Sequence, residues 1–381
     1  MKIAILIHRL RFGGAERQVV VLAKALQEKG HDVSVVAMSA DGLFLRDLRR
    51  SGIRVVDLEL TRRHDVYGPI KRLNALLKKD RPDFLYSFLG LSNVAATIAR
   101  TASIGTRLAW GVRISDHPRL SYGFANAVIE SLETRLMSRP DIIIANSTAG
   151  LRWSVDRGAS PDRCCVIHNG FDPALFFIDQ AGRSRQRAHW GISDHHPVIG
   201  IVARKDPMKD YPTFFAAAAR HGQTSPMTRF AVVTDGESDD RKFTAQLAAD
   251  HGIGDRILWC EDIHDRVNDL YNALDVICLS SAFGEGFPNV LAEAMLCGRT
   301  CVTTDVGDAG SIVGDLGRVV PTRDSIALAD SLGAALDDPH RSDKSPYLRA
   351  RIVDNFSLEA CVDATERQLT EALSRPARSP G

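Results

Sequence analysis

Short apolar segments rich in Val and Ile alternate along the chain with longer segments that have helical periodicity. Residues 3–7 form the first apolar segment, a helical pattern follows at 15–29, and a second apolar segment lies at 33–38. Further apolar segments lie at 54–58, 84–87, 107–110 and 142–145. This alternation predicts βαβ units, in which helices cover both faces of a parallel sheet.

The alternation breaks once, between residues 170 and 197, where the sequence becomes polar. A second series begins at 198–202 and continues at 230–233, 256–259, 276–279 and 300–303. Because 381 residues exceed the usual size of a single core, we expect two domains. We predict an N-terminal Rossmann-like domain at 1–172, a linker at 173–196, a C-terminal Rossmann-like domain at 197–355, and a helix and tail at 356–381 that pack back toward the N-terminal domain.

Two doubly wound domains also indicate where a ligand binds. In such sheets the ligand lies beyond the carboxyl ends of the strands, and clefts between domains are common binding sites. We therefore expect the functional residues to lie in loops that follow strands and line an interdomain cleft.

The first residues lack the features of a signal peptide, because the apolar segment runs into His8 and Arg9 without a small-residue cleavage site. No run of 18 apolar residues predicts a transmembrane helix. The seven cysteines lack the spacing of a disulfide framework, and Cys297 and Cys301 lack the additional Cys or His partners of a zinc site. We expect a cytoplasmic protein with reduced thiols and no bound metal.

The two halves of the chain carry opposite net charge. Residues 1–172 contain 26 Lys and Arg against 17 Asp and Glu, whereas the remainder contains 22 against 30. The basic residues concentrate in one segment, at Arg46, Arg49, Arg50, Arg54, Arg62, Arg63, Lys71, Arg72, Lys78, Lys79 and Arg81. This segment forms either solvated helix faces or a contact surface for an anionic membrane or a lipid-diphosphate acceptor. Few aromatic residues are interleaved with these charges, so nucleic acid is not an expected partner.

The loop and helix at residues 283–295 carry the strongest functional signal. This segment reads Phe-Gly-Glu-Gly-Phe-Pro-Asn-Val-Leu-Ala-Glu-Ala-Met, and Pro288 suits the first turn of a helix. The free N–H groups at such a helix start favour a diphosphate. Glu285 in the loop and Glu293 within the helix would then accept hydrogen bonds from the hexose and the ribose of one nucleotide-sugar. The alternative is that both are ordinary exposed glutamates.

The segment from Glu285 to Glu293 resembles the Glu-x₇-Glu signature of retaining GT-B glycosyltransferases, family four in particular. Other segments follow the order of that family: Gly13-Gly14-Ala15-Glu16-Arg17 resembles its first glycine loop, His168-Asn169-Gly170-Phe171-Asp172 the end of its first domain, Arg204 with Lys209 its basic pair, and Gly307 to Gly317 its late glycine segment. The resemblance covers nearly the whole chain. It implies the GT-B fold, an α/β architecture of two facing Rossmann-like doubly wound domains with an interdomain cleft.

The resemblance also implies roles for individual residues. The implied catalytic residues are Glu285, Arg204, Lys209 and His117. The implied donor-binding residues are Gly13, Gly14, Arg204, Lys209, Asp235, Gly286, Phe287, Pro288, Asn289, Val290 and Glu293. Arg204 and Lys209 would stabilise the departing diphosphate, the alternative being ordinary surface charges. Asp235 lies in the segment Thr234-Asp235-Gly236, which resembles the family's Gly-x-Gly loop. In this chain Thr234 stands where that loop has its first glycine.

On the acceptor side the candidates are Arg113, Asp116 and His117, which end a predicted strand of the first domain. Asp116 or His117 would orient or deprotonate the acceptor hydroxyl group. For His117, a packing or capping role in the loop is an equal alternative.

The implied activity is transfer of a hexose from a UDP- or GDP-sugar to a glycan or lipid-linked acceptor, in polysaccharide, lipopolysaccharide or glycolipid biosynthesis. In the family, retention is attributed to same-face attack, so Glu285 need not be a nucleophile. No Asp-x-Asp metal motif lies in a suitable loop, so we expect no metal or other cofactor. A GT-B epimerase or phosphorylase and a non-catalytic nucleotide-sugar-binding module are the alternatives. A nicotinamide oxidoreductase is not expected, because Gly13-Gly14 lacks the Gly-x-Gly-x-x-Gly spacing.

Overall fold

The computed structural model describes residues 1–11, 13–60, 67–101, 105–116, 118, 122–234, 238–260 and 266–376. The chain forms two compact units, which we call unit 1 and unit 2. Unit 1 comprises Met1–Gly170 with Leu358–Gly381, and unit 2 comprises Phe171–Ser357. Each unit contains its own parallel sheet and its own core.

Unit 1 contains a seven-stranded sheet in the order β3-β2-β1-β4-β5-β6-β7, with every neighbouring pair parallel. Its strands are β1 (Lys2–Arg9), β2 (Asp32–Ser39), β3 (Arg54–Asp57), β4 (Phe84–Phe88), β5 (Arg107–Val112), β6 (Ile142–Ala145) and β7 (Cys164–Val166). The connecting helices are α1 (Gly14–Glu28), α2 (Phe44–Arg50), α3 (Tyr67–Asp80), α4 (Gly90–Arg100), α5 (Phe124–Leu136) and α6 (Thr148–Asp156).

The first strand shows why these segments are apolar throughout. Ile3, Ile5 and Ile7 pack into the core that includes α1, whereas Ala4 and Leu6 pack into the core on the opposite face of the sheet. Successive side chains of a strand point to opposite faces, and here helices cover both faces. A continuous apolar run is therefore required rather than an alternating one.

Unit 2 contains a six-stranded parallel sheet in the order β10-β9-β8-β11-β12-β13. Its strands are β8 (Val198–Val202), β9 (Arg229–Val233), β10 (Ile257–Cys260), β11 (Val276–Leu279), β12 (Thr300–Thr304) and β13 (Arg318–Val320). Its helices are α7 (Gln180–His189), α8 (Tyr211–Thr224), α9 (Ser238–Asp250), α10 (Val267–Ala273), α11 (Asn289–Leu296), α12 (Ala309–Val313), α13 (Ser325–Leu336) and α14 (Arg341–Asn355). Strands β8 and β11 are neighbours, so the loops that follow them leave the same edge of the sheet.

The last helix, α15 (Leu358–Ser374), belongs to unit 1. Val362 and Leu369 are buried in the same core as Ile3 and Ile5. At the surface, Lys29 forms ion pairs with Asp363 and Glu366. Apolar packing and surface ion pairs together hold α15 against α1.

Residues 173–196, which we predicted as a linker, contain helix α7, and this helix packs within unit 2. Arg187 is buried there and donates a hydrogen bond of 2.7 Å to the carbonyl oxygen of Ala273. Arg183 donates to Asp275 at 3.0 Å, and Asp275 also accepts from the backbone N–H of Val198 at 2.8 Å. Ion pairs rather than an apolar stripe hold α7, which is why the periodicity of the sequence did not reveal it.

All eleven predicted apolar segments overlap strands, and the α/β fold class is confirmed. Strands β7 and β13 were not predicted. Each has three residues, and Arg318 and Val319 in β13 are exposed, so neither strand produces a clear apolar segment. These two strands lie at one edge of each sheet, where burial is lower than in the centre.

Candidate active site

In unit 2, Lys209 and Glu285 form an ion pair between two loops at the same edge of the sheet. Lys209 ends a short 3₁₀ helix, Pro207–Lys209, in which Asp206 accepts a hydrogen bond from the N–H of Met208. Glu285 lies in the loop after β11 and is 6% exposed. Lys209 Nζ lies 2.5 Å from Glu285 Oε1. The structure thus brings together two residues that are 76 positions apart in the chain.

The carboxylate of Glu285 is held on one oxygen only. Ser281 Oγ donates to Oε1 at 2.6 Å, so that oxygen receives both the hydroxyl group and the Lys209 ammonium group. The Oε2 oxygen accepts no hydrogen bond from any described residue. Glu285 is therefore oriented by the protein while one oxygen retains its capacity to accept from a ligand.

The late glycine segment packs against the backbone of the loop that contains Glu285. Gly307 has a φ of +55°, and a Cβ atom there would lie 2.1 Å from the carbonyl oxygen of Glu285. The N–H of Asp308 donates to the carbonyl oxygen of Gly286 at 3.0 Å. Only glycine suits this position, because it needs both a left-handed conformation and close backbone approach.

Helix α11 begins directly after the loop, at Asn289. Pro288 has an extended backbone and precedes the helix as its capping residue, one position earlier than the first turn in which we predicted it. Phe287 and Asn289 are also buried, and Val290 is partly buried. Phe287 packs against the rings of Phe171 and Phe356, at centroid distances of 5.8 and 5.0 Å. These contacts anchor the helix start.

Glu293, on the buried side of α11, is 5% exposed. Tyr271 in α10 donates its hydroxyl hydrogen to Glu293 Oε2 at 2.7 Å. The alternative that Glu293 is an ordinary exposed glutamate is therefore excluded. Tyr271 and Ser281 contact these carboxylates, and the sequence did not reveal either of them, since neither belongs to the Glu-x₇-Glu pattern.

Arg204 and Lys205 differ from Lys209 in their surroundings. Arg204 is exposed and forms no ion pair with the described residues. The Nζ of Lys205 lies 4.9 Å from the centre of the Phe243 ring. Of the two lysines in this loop, only Lys209 contacts Glu285 within the described part of the chain.

In unit 1, Gly13 caps α1 in an extended conformation and Gly14 is the first residue of that helix. Arg113 follows β5, and its guanidinium donates to the Tyr86 hydroxyl at 2.9 Å and lies 4.5 Å from the centre of the Phe88 ring. Burial raises the pKa of Tyr86 to about 12. Arg113 is thus directed toward the side chains of β4, into a cavity that admits about one water molecule.

Three further residues were predicted to belong to the site, namely Asp116, His117 and Asp235. Asp116 is exposed. His117 and Asp235 lie outside the described residues, so their predicted roles stay predictions.

Among the described residues, no group of three His, Cys, Asp or Glu side chains is placed to hold a metal ion. Burial raises the pKa of the Cys297 thiol to about 12, which disfavours the thiolate form that metals bind. Of the helices in the described ranges, none has the length and hydrophobicity needed to span a bilayer.

Two protein-family models match the chain, one in each half. Residues 12–175 match the model described as Glycosyltransferase Family 4, and residues 196–338 match the model described as Glycosyl transferases group 1. Together the two matches account for most of both units, in the order that the sequence motifs predicted.

Several named proteins have similar sequences. A D-inositol 3-phosphate glycosyltransferase from Acidothermus cellulolyticus is 30% identical over 232 residues, which is 58% of this chain and 49% of that protein. A phosphatidyl-myo-inositol mannosyltransferase from Mycolicibacterium smegmatis is 25% identical over 339 residues, or 86% of this chain and 82% of that protein. For the Acidothermus, Rhodococcus and Nocardia relatives, the chain spans about half the length of the protein that it matches.

Solved structures show the same fold. HepE from Anabaena in complex with UDP-glucose superposes with a TM-score of 0.84 at 23% identity, over 97% of this chain and 100% of that chain. WaaG, a glycosyltransferase involved in lipopolysaccharide biosynthesis, superposes with a TM-score of 0.77 at 17% identity, over 97% and 99% of the two chains. The predicted GT-B fold is confirmed.

Proposed function

The chain belongs to the family 4, or group 1, glycosyltransferases, and we propose that it transfers a hexose from a UDP- or GDP-sugar to a hydroxyl group with retention of anomeric configuration. In this reaction the bond between the anomeric carbon and the diphosphate oxygen breaks, and a bond to the acceptor oxygen forms. The acceptor loses its proton, and the nucleotide diphosphate leaves. UDP-glucose and UDP in the HepE structures support a nucleotide-sugar donor.

The arrangement of Glu285, Lys209 and Ser281 is the observation that carries this proposal. Glu285 Oε1 is held by two donors, and Oε2 is oriented without a protein partner among the described residues. A sugar hydroxyl group is a suitable donor to that oxygen. The carboxylate is held in place before the ligand arrives, so little reorganisation accompanies binding.

The diphosphate would lie beside this carboxylate, at the start of α11. The N–H groups of the first helical turn and the Lys209 ammonium group supply positive charge, and Arg204 follows β8 on the same loop as Lys209. Charge stabilisation of the leaving group lowers the barrier for breaking the bond to the anomeric carbon. Glu293, further along the same helix, would accept from the ribose hydroxyl groups.

The contacts of Glu285 bear on how retention would be achieved. Lys209 and Ser281 both donate to Glu285 Oε1, and these donors compete with any bond that this oxygen could form to the anomeric carbon. Same-face attack by the acceptor on a short-lived oxocarbenium ion is therefore the mechanism that we propose. Glu285 orients the sugar in this scheme.

The acceptor that we propose is a glycan or a lipid-linked molecule at the cytoplasmic face of a membrane. Three observations support it: the basic surplus of residues 1–172, the seven free cysteines, and the phosphatidylinositol lipid for which the M. smegmatis relative is named. Polysaccharide, lipopolysaccharide and glycolipid pathways all use such acceptors.

Incubation with a panel of UDP- and GDP-sugars tests the proposed activity. We expect release of nucleotide diphosphate from one donor, and this release should rise when an acceptor is added. Interconversion of free nucleotide-sugars would indicate an epimerase instead, and dependence on inorganic phosphate a phosphorylase. Donor binding without turnover would indicate a binding module.

We also expect transfer to proceed without a divalent metal ion, because Lys209 and Arg204 supply the positive charge that a metal ion provides elsewhere. The rate in excess EDTA should equal the rate without it, measured as release of nucleotide diphosphate. Loss of activity in EDTA that added Mn²⁺ restores would contradict this prediction.

A further inference from the structure

Two serines in a row, Ser280 and Ser281, directly follow strand β11, and both are fully buried. Ser281 donates its hydroxyl hydrogen to the carboxylate of Glu285. Ser280 donates its hydroxyl hydrogen to the carbonyl oxygen of Lys209 at 2.7 Å. The two serines therefore contact both partners of the ion pair in the candidate site. One holds the side chain of the glutamate, and the other holds the main chain of the lysine.

The loop that carries Lys209 is joined to the loop after β11 by two consecutive carbonyl groups. The N–H of Ala282 donates to the carbonyl oxygen of Met208 at 2.8 Å, and the Ser280 hydroxyl donates to the next carbonyl, that of Lys209. Strands β8 and β11 are neighbours, so the two loops leave the sheet side by side. The main chain of Lys209 is thus anchored by contacts that do not involve its ammonium group.

The residue after Lys209 sets the direction in which the chain continues. Asp210 has a φ of +46° and a ψ of 55°, a left-handed conformation that is uncommon for a residue other than glycine. Its carboxylate accepts from the N–H of Thr213 at 3.3 Å and from the hydroxyl group of Thr213 at 2.6 Å, and so caps helix α8. The chain turns sharply here, and Ser280 holds the carbonyl group at the start of the turn.

The position of this main chain decides where the ammonium group can reach. Within the described ranges, Glu285 is the one anionic group that pairs with Lys209, and the lysine side chain is 17% exposed. A lysine side chain is a flexible four-carbon stem, so it does not fix its own ammonium group. A shift of the Lys209 main chain would carry the ammonium group away from Glu285 and from the place that we propose for the diphosphate.

We propose that Ser280 is a positioning residue that acts through Lys209, because its hydroxyl group holds the lysine main chain where the ammonium group reaches the leaving diphosphate. This inference rests on the proposed function, in which Lys209 stabilises that leaving group. Negative charge on the diphosphate grows as the bond to the anomeric carbon breaks, so a well-placed cation contributes more in the transition state than in the donor complex. Loss of the Ser280 hydroxyl should therefore lower kcat more than it raises KM.

A purely structural role is the alternative, since a buried hydroxyl group bonded to a carbonyl oxygen also stabilises a loop. The chain offers a matched control for this alternative. Ser345 in α14 donates its hydroxyl hydrogen to the carbonyl oxygen of Gly298, which precedes β12, at 2.8 Å. Ser345→Ala thus removes the same kind of bond from unit 2, at the opposite end of the sheet strands from Ser280.

The first measurement is acylation of lysine side chains in the folded protein with acetic anhydride, followed by mass spectrometry of peptides. Lys205 is exposed on the same loop and serves as the internal reference. In the wild type, Lys209 should react more slowly than Lys205, because its side chain is mostly buried and paired with Glu285. Ser280→Ala should raise the rate at Lys209 at least about threefold relative to Lys205, because the loop is released locally. Ser345→Ala should leave this ratio unchanged.

The second measurement is steady-state release of nucleotide diphosphate by Ser280→Ala, Lys209→Ala and the double variant. We expect Ser280→Ala to lower kcat by about 10-fold, as for loss of one hydrogen bond, with KM for the donor nearly unchanged. In the Lys209→Ala background, Ser280→Ala should change kcat by less than about twofold, because the group through which it acts is already absent. Ser345→Ala should keep the wild-type kcat.

The two measurements decide separately. Wild-type acylation of Lys209 in folded Ser280→Ala would overturn the inference, and so would a fall in kcat that persists in the Lys209→Ala background. If Ser280→Ala does not fold, Ser280→Cys takes its place, since a thiol is a weaker donor of similar shape. A wild-type protein that releases no nucleotide diphosphate from any donor would refute the proposed function, whereas the acylation rates would still decide whether Ser280 fixes Lys209.

Discussion

Replacement of Lys209 by alanine is expected to lower kcat/KM for sugar transfer by a factor on the order of 10², as does loss of one preorganised charge contact in other active sites. Two causes combine here. The leaving diphosphate loses a cation, and the buried carboxylate of Glu285 loses its ion-pair partner. The measurement is the rate of nucleotide diphosphate release with the donor that the panel identifies.

Lys205→Ala is the matched control for this variant. Lys205 lies on the same loop but contacts the Phe243 ring instead of Glu285, so its loss should change the rate by less than about threefold, as expected for an exposed charge. Comparable losses in both variants would show that the loop merely needs positive charge. Near-normal turnover by Lys209→Ala would remove Lys209 from the proposed mechanism.

A double-mutant cycle separates the two causes. In a Glu285→Gln background, Lys209→Ala has no carboxylate to orient. If Lys209 acts only through Glu285, replacing it by alanine in the Glu285→Gln variant should not lower the rate further. We expect a residual loss in that background, because Lys209 also contacts the diphosphate in the proposed mechanism.

The sequence predicted the sheets well because their strands are buried on both faces. The segment at 198–202 became β8 without a shift in its bounds, and all five of its residues are buried. Helix α7 shows the limit of this reasoning. Its buried residues include Gln186 and Arg187, and Arg187 is held by the carbonyl oxygen of Ala273 and by Asp275 from distant parts of the chain. Such long-range polar contacts leave no periodic signal in the local sequence.

The candidate site likewise combines residues that local sequence motifs predicted with contacts from distant parts of the chain that they did not. The resemblance singled out Glu285, Glu293, Arg204 and Lys209 by their motif spacing, whereas Ser281 and Tyr271, which also contact the two carboxylates, lie outside those motifs. Ser281 is four residues before Glu285, and Tyr271 is 22 residues before Glu293 on a different helix. Only the packing of α10 against α11 brings the tyrosine hydroxyl to the carboxylate. Sequence spacing therefore singled out these charges as candidates and left their orientation undetermined.

Glu293→Gln is expected to lower kcat/KM by a factor on the order of 10², comparable to loss of a charge-assisted contact to the substrate. Glutamine keeps the volume of the side chain, so the core around α11 should stay intact, but its neutral amide is a weaker acceptor for ribose hydroxyl groups. Because the ribose is remote from the reacting bond, most of the loss should appear in KM for the donor. Steady-state kinetics with varied donor concentration measure this division.

Tyr271→Phe tests whether orientation of that carboxylate matters. The variant removes the hydrogen bond of 2.7 Å to Glu293 and keeps the negative charge, so we expect a loss of about 10-fold, again in KM. Asp255→Asn, at an exposed carboxylate of unit 2, is the control and should leave both constants unchanged. A loss confined to kcat in Glu293→Gln would place this carboxylate at the reacting centre instead of at the ribose, and it would contradict the division of roles between the two glutamates.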